Sequence, residues 1–202
     1  TYGGSSIMAT LNATNLKHAS SGSNNIVLAS DGSTTISNLS NAGKILQVVS
    51  TTKTNSQSTT TANSYVDISG FSLAITPTST SSKIFVQIAL QHGGENNSFL
   101  GFKVYRDSTG IGLNGGGDAS GNITVASFGG GQGQDNDAYR VRGVAWQHLD
   151  SPNSTSSLTY KVQFASLYYG YAVYINRPHT LDTTNYYTTL GSSSFTLMEV
   201  AA

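Results

Sequence analysis

The chain has 202 residues, of which only 10% are charged; ten basic and ten acidic side chains cancel, and there is no cysteine. That excludes disulfides, thiolate catalysis and cysteine-ligated zinc, and the lack of a basic excess argues against nucleic-acid binding. No apolar run approaches the roughly 20 residues of a membrane-spanning helix, so no membrane insertion is expected; solubility rests on Ser, Thr, Asn and Gly.

Residues 1–43 are sparsely apolar: Ile7, Leu11, Leu16, Ile26, Val27, Leu28, Ile36 and Leu39. The first twenty lack the basic-then-apolar order of a signal peptide. "VLASDGSTTI" predicts a small hairpin around Asp31-Gly32. With too few apolar side chains for a core of its own, this segment is expected to be an extended N-terminal arm. It would dock on another protein or intertwine with sister chains, with Ile7, Leu11 and Leu16 as anchors. The boundary falls at "NAGK", leaving residues 44–202 as a head domain.

From residue 44 onward, apolar residues recur with period two. "KIFVQIAL" places Ile84, Val86, Ile88 and Leu90 on one face, and "FLGFKVYR" does the same for Leu100, Phe102 and Val104. "LTYKVQFA" turns Leu158, Tyr160, Val162 and Phe164 inward. "YAVYIN" aligns Tyr171, Val173 and Ile175, and "FTLMEV" sets Phe195 and Leu197 against Met198 and Val200. Such alternation marks strands with one buried face. Turn-forming runs punctuate it: "SGF" at 69–71, "TPTSTSS" at 76–82, "HGGENN" at 92–97, "NGGGDASGN" at 114–122, "FGGGQGQDND" at 128–137 and "DSPNSTSS" at 150–157. Pro152 stops the preceding strand near Asp150, because proline cannot donate to a ladder. About eight strands and no helical stripe predict an all-β fold, an antiparallel β-sandwich of jelly-roll type.

Catalytic chemistry finds little support. A glycosidase needs two carboxylates about 5–9.5 Å apart, whereas most Asp residues here sit in turns, where Asp is a turn former. "DND" at 135–137 has the alternating oxygens of a calcium loop, but no bidentate Glu follows at the required distance. The histidines His18, His92, His148 and His179 have no metal-binding spacing. His148 is expected on the strand face opposite Trp146, and a histidine ring at a three-fold axis is the functional alternative to a structural role. "FGGGQGQ" is not a phosphate loop; it suits a flexible tip or close backbone packing at a subunit contact. No catalytic residue, metal ligand or cofactor is assigned. The densest aromatic patch is "SLYYGYAVY". An alternating strand cannot face Tyr168, Tyr169, Tyr171 and Tyr174 all inward, so they are candidate contacts for a sister subunit or a glycan receptor.

The stretches "GKILQVVSTTKT", "YVDISGFSLAITPTSTSSKIFVQIAL", "KVYRDSTGIG", "LDSPNSTSSLTYKVQ", "VYINR" and "SSFTLMEVAA" resemble a family of structural proteins of tailed bacteriophages, especially of marine and cyanobacterial hosts. The resemblance covers roughly residues 43–202 and implies a virion part of tail-fibre type. The resulting expectation is a non-enzymatic homotrimeric fibre or fibre-tip protein, assembled in the host cytoplasm and carried on the particle exterior. Its arm would bind other virion proteins. A capsid decoration protein clamping capsomers and a glycan-binding receptor module are the alternatives.

Overall fold

The structure is a computed structural model that describes residues 14–20, 22–23, 26–36, 43–113, 121, 123–134 and 137–202. The anchor residues Ile7 and Leu11 lie outside the described residues. The chain divides into two units, Thr1–Asn41 and Ala42–Ala202.

The described part of the first unit is a small antiparallel sheet of β1 (Asn15–Leu16), β2 (Ile26–Leu28) and β3 (Thr34–Ile36). The expected hairpin is β2–β3. Its turn is closed by the Asp31 carboxylate, which accepts from the Ser33 amide at 2.9 Å, and by Gly32 at φ +84°. Leu16 and Leu28 are both exposed.

The second unit contains β4 (Ile45–Lys53), β5 (Gln57–Thr59), β6 (Val66–Ile75), β7 (Lys83–Gly94), β8 (Phe99–Arg106), β9 (Thr109–Ile111), β10 (Phe128–Gly131), a 3-10 turn (Asp137–Tyr139), β11 (Arg142–Asp150), β12 (Leu158–Ser166), β13 (Val173–Ile175) and β14 (Ser193–Val200). One sheet runs β4-β14-β7 with β11 on the far side of β7, and the other runs β6-β12-β8-β10. Counted along the chain without the short β5, β9 and β13, the eight principal strands are ordered 1-8-3-6 and 2-7-4-5. That is the double Greek key of a jelly roll. Every pairing between these strands is antiparallel.

The inward faces match the period-two reading. Ile84, Val86, Ile88, Leu90, Phe102, Val104, Tyr160, Val162, Phe164, Phe195 and Leu197 are fully buried between the sheets. Truncating any of the larger ones to Ala removes burial and leaves a cavity, at a cost of about 2–5 kcal/mol.

Three sequence expectations are corrected. "SGF" at 69–71 does not end a strand: β6 continues through it with a bulge, Gly70 at φ +70°, which shifts the inward phase from Ile68 to Phe71. "FGGG" is the strand β10, not a loop tip. Its glycines are needed because a Cβ on Gly130 would meet His92 Nε2 at 2.5 Å, so the close packing is within the chain. "YAVYIN" is a strand only over Val173–Ile175; Tyr171 precedes it.

Candidate functional site

Strand direction gives the sandwich two distinct ends. One carries the chain entry at Gly43, the turns 76–82, 107–108 and 151–157, and Ala201, whose carbonyl accepts from the Gly43 amide at 2.8 Å. The other gathers the loops 54–65, 95–98, 132–141, 167–172 and 176–192.

At the entry end, buried polar groups hold strands together. Glu199 is in phase with Phe195 and Leu197 and fully buried. Its carboxylate accepts from the Thr78 amide and hydroxyl, both at 2.7 Å, and from Gln47 Nε2 at 2.6 Å. Burial alone would raise its pKa, but the donors from Thr78, Gln47 and Ser82 hold it down at about 2. Asp150, the last residue of β11, accepts from Arg106 Nη1 at 2.6 Å and the Tyr160 hydroxyl at 2.7 Å. Burial first, then the neighbouring Asp150 charge, pushes the Tyr160 hydroxyl well above the usual phenol range.

The loop end carries the aromatics. Tyr168, Tyr169 and Tyr171 lie in a tight turn, not in a strand, so the alternation argument does not apply to them. Tyr169 sits at φ +46° and Gly170 at +72°. Rings of Tyr168 and Tyr169 meet edge-on at 4.2 Å, Tyr168 and Tyr171 at 5.7 Å, and Phe99 and Tyr168 at 5.8 Å. Tyr169 is 81% exposed. The cluster borders an open groove of about 740 Å³ lined also by Asn63, Ile123, Thr124 and Leu167. Tyr174 stands apart: it lies on β13 with Arg177 over its ring at 4.7 Å and His179 beside it.

A second groove at the same end, about 550 Å³, is lined by Tyr139, Arg140, Asp182, Asn185 and Tyr187. The sequence reading missed it. The only available signal was two adjacent tyrosines in "LDTTNYYTTL", a long polar run without alternation; Tyr186 there is fully exposed.

The described acidic residues are engaged within the chain. Each of the eight described carboxylates (Asp31, Asp67, Glu95, Asp107, Asp137, Asp150, Asp182 and Glu199) accepts a hydrogen bond from the protein. Asp118 and Asp135 lie outside the described residues. Of the "DND" run only Asp137 is described, and it is not at an exposed tip. It is buried, accepting from the Gly133 amide and pairing with Arg142 and Arg140. Burial opposes its ionisation, but the Gly133 amide and Arg142 hold its carboxyl below the usual range. Among the described residues no three His, Asp or Glu side chains converge on a metal-sized site.

Two of the histidines lie in the sandwich. His92 is buried behind Gly130 and Phe102. His148 and Trp146 share one face, stacked at 5.5 Å, as residues two apart on a strand must; the expectation of opposite faces was wrong. Burial first, then the Arg142 charge, lowers the His92 pKa to about 4.

The outer face of the sheet β4-β14-β7-β11 is an almost uncharged surface. The register aligns Val48, Met198, Phe85 and Leu149 in one apolar row across four strands. Val48 and Leu149 are more than half exposed. The neighbouring rows are Ser50, Thr196, Gln87 and Gln147, then Thr52, Ser194, Ala89 and Ala145. Lys83 is the single charge on the outward positions of these strands, and its ammonium donates to Ser151 at 2.8 Å.

Fold and site together define an all-β jelly roll with buried polar groups at the chain-entry end and an aromatic loop end. No protein-family model and no curated protein matches the chain. Solved structures similar to it include one of the infectious bursal disease virus Gt strain, at 13% identity and TM-score 0.42, covering 80% of this chain and 39% of that one. A mutant VP2 protein of the same virus in T=1 particles is 13% identical, with TM-score 0.41, covering 79% and 37%. A VP2 subviral particle of that virus has the same identity and TM-score, covering 80% and 38%. The chain thus spans well under half the length of these structures.

Proposed function

We infer that this chain is a non-enzymatic structural protein of a bacteriophage virion: a fibre or fibre-tip subunit, homotrimeric, on the particle exterior. The observation that carries this reading is the polarity of the jelly roll. The chain enters at one end, and exposed aromatic grooves open at the other, which suits a part mounted at one end and making contact at the other. The sequence resemblance over residues 43–202 supports the same class. The first unit, including Leu16, would bind other virion proteins, and the loop end would meet the host surface.

Self-association would use the uncharged sheet face, with a second copy of this chain as its occupant. Four strands about 4.8 Å apart and eight residues at about 3.3 Å each make a face of roughly 500 Å². Two such faces bury about 1,000 Å², the lower bound of a specific interface. A self-contact here hides one apolar row and buries almost no charge, and desolvated charge is the expensive term. Turned toward a three-fold axis, this face would meet both neighbouring copies, one half against each, in a heterologous contact that closes after three.

Sedimentation of the full chain at micromolar concentration tests this reading. A trimer is expected, and Leu149→Lys, at the exposed β11 end of the apolar row, should dissociate it. A wild-type monomer would sink the assembly. Density in a virion map decides the mounting: tail-fibre density supports the reading, and density on the capsid lattice replaces it with the decoration role. Particles grown with residues 1–42 deleted are expected to lack the protein although its head folds.

A further inference from the structure

The second groove at the loop end has chemistry of its own. Asp182 does not compete for a ligand there: Oδ1 accepts from the Thr184 amide (2.8 Å), the Thr184 hydroxyl (2.7 Å) and the Asn185 amide (3.0 Å), and Oδ2 from Asn185 Nδ2 (3.0 Å). These bonds make it an internal strut that fixes the loop. They also orient Asn185, whose amide nitrogen is engaged with Asp182 and Thr184 Oγ1, leaving its carbonyl oxygen as an acceptor.

Across the groove stands Arg140. Among the described residues its one side-chain partner is Asp137, at a long 3.4 Å, and Asp137 is held more closely by Arg142. The Arg140 side chain is 66% exposed. Four of its five guanidinium donors thus have no partner among the described residues. Tyr139 and Tyr187 line the groove with it, and Tyr187 is 67% exposed.

A guanidinium fork, an amide oxygen and two phenol rings around about 550 Å³ match one ligand class. The fork takes a planar carboxylate in bidentate fashion. The amide oxygen accepts from a ring hydroxyl, and the phenol faces cover the C–H face of a pyranose. We propose that this groove binds a carboxylate-bearing sugar residue, of uronate type, in a polysaccharide on the host surface. The proposal rests on the host-contact reading above and names its ligand.

The test is calorimetric titration of the full chain with oligogalacturonate, a sulfated galactan oligosaccharide and neutral maltohexaose. Saturable binding of oligogalacturonate is expected, weakening as salt rises, with maltohexaose at least tenfold weaker. Losing a charge-assisted pair is worth about 1.5–3 kcal/mol, so Arg140→Gln should weaken oligogalacturonate roughly 10–100-fold and leave maltohexaose unchanged. Tyr187→Ala should weaken both sugars. Both side chains are exposed, so the unfolding midpoints of the variants should match wild type and report that the fold is intact. No binding of oligogalacturonate by the intact chain, binding of the sulfated sugar alone, or an Arg140→Gln variant with wild-type affinity would each overturn the proposal. A capsid-lattice position in the virion map would instead remove the host-contact reading, so the two failures are distinguishable.

Discussion

Glu199→Gln is the sharpest test of how the entry end is held. The native carboxylate accepts three hydrogen bonds of 2.6–2.7 Å, from Thr78 twice and from Gln47 once. Gln47 Nε2 also donates to the Thr76 carbonyl at 2.7 Å, so one buried charge ties β4, the 76–82 turn and β14 together. A glutamine keeps the shape but has one acceptor and one donor arm. Whichever way it turns, its NH₂ confronts the donors of Thr78 or of Gln47. At least one charge-assisted bond is lost, about 2–3 kcal/mol. For a unit of this size that lowers the melting midpoint by about 4–12 °C. The assay is urea unfolding followed by the fluorescence of Trp146, the single tryptophan. It sits between Phe128 and His148.

The pH dependence of the same pair is determined by sign. The folded carboxyl is held at about 2 against 4.5 for a free side chain. Between those values the unfolded chain binds more protons, so the stabilisation is complete above pH 4.5 and lost as pH falls through 2. The gap between wild type and Glu199→Gln should therefore be full at pH 7 and close between pH 4.5 and 2. A gap under about 0.5 kcal/mol at pH 7, within the range of ordinary surface substitutions, or one that stays constant down to pH 2.5, would refute the reasoning.

Gly93→Ala should destabilise by about 2 kcal/mol or more, measured by the same unfolding, because its Cβ would lie 2.3 Å from the Arg177 carbonyl oxygen and 2.8 Å from Pro178 Cα, both backbone atoms. Wild-type stability would mean the 177–180 segment does not pack there. His92, pushed to about 4 by burial and Arg142, should show unchanged imidazole NMR shifts from pH 8 to about 5, and a midpoint near 6.5 would contradict its burial. The unfolded histidine takes its proton first, so this group lowers stability as pH falls from 6.5 to 4. Tyr169→Gly removes an exposed ring at φ +46°, a backbone region glycine adopts freely. Stability should hold while particles carrying the variant adsorb less to host cells; a loss above about 2 kcal/mol would show the ring to be structural.

Much of the fold was legible because strand burial is written locally. Side chains alternate with period two, so Leu158, Tyr160, Val162 and Phe164 announce a buried face without reference to any partner. Proline chemistry likewise ended β11 at Asp150, and the Asp31-Gly32 turn announced β2–β3. Glycine was harder to read. Alone, "FGGG" and "SGF" look like loops, and only the neighbour at His92 and the opposing β12 make them strand and bulge. The tyrosine patch was legible as an aromatic cluster, but its strand periodicity was misread because Tyr169 and Gly170 turn the chain.

The sequence by itself determined the all-β class, the inward faces and the uncharged surface, since each depends on residue type and local spacing. Tertiary structure decided the jelly-roll strand order, the split of the tyrosines, the second groove and the burial of Asp150 and Glu199. Those properties belong to pairs far apart in the chain: Arg106 meets Asp150 across 44 residues and Gln47 meets Glu199 across 152. A carboxylate in a strand is read locally as polar and therefore outward. It turns inward here because donors from distant turns offset the cost of removing it from water, and no local pattern records where those donors will be.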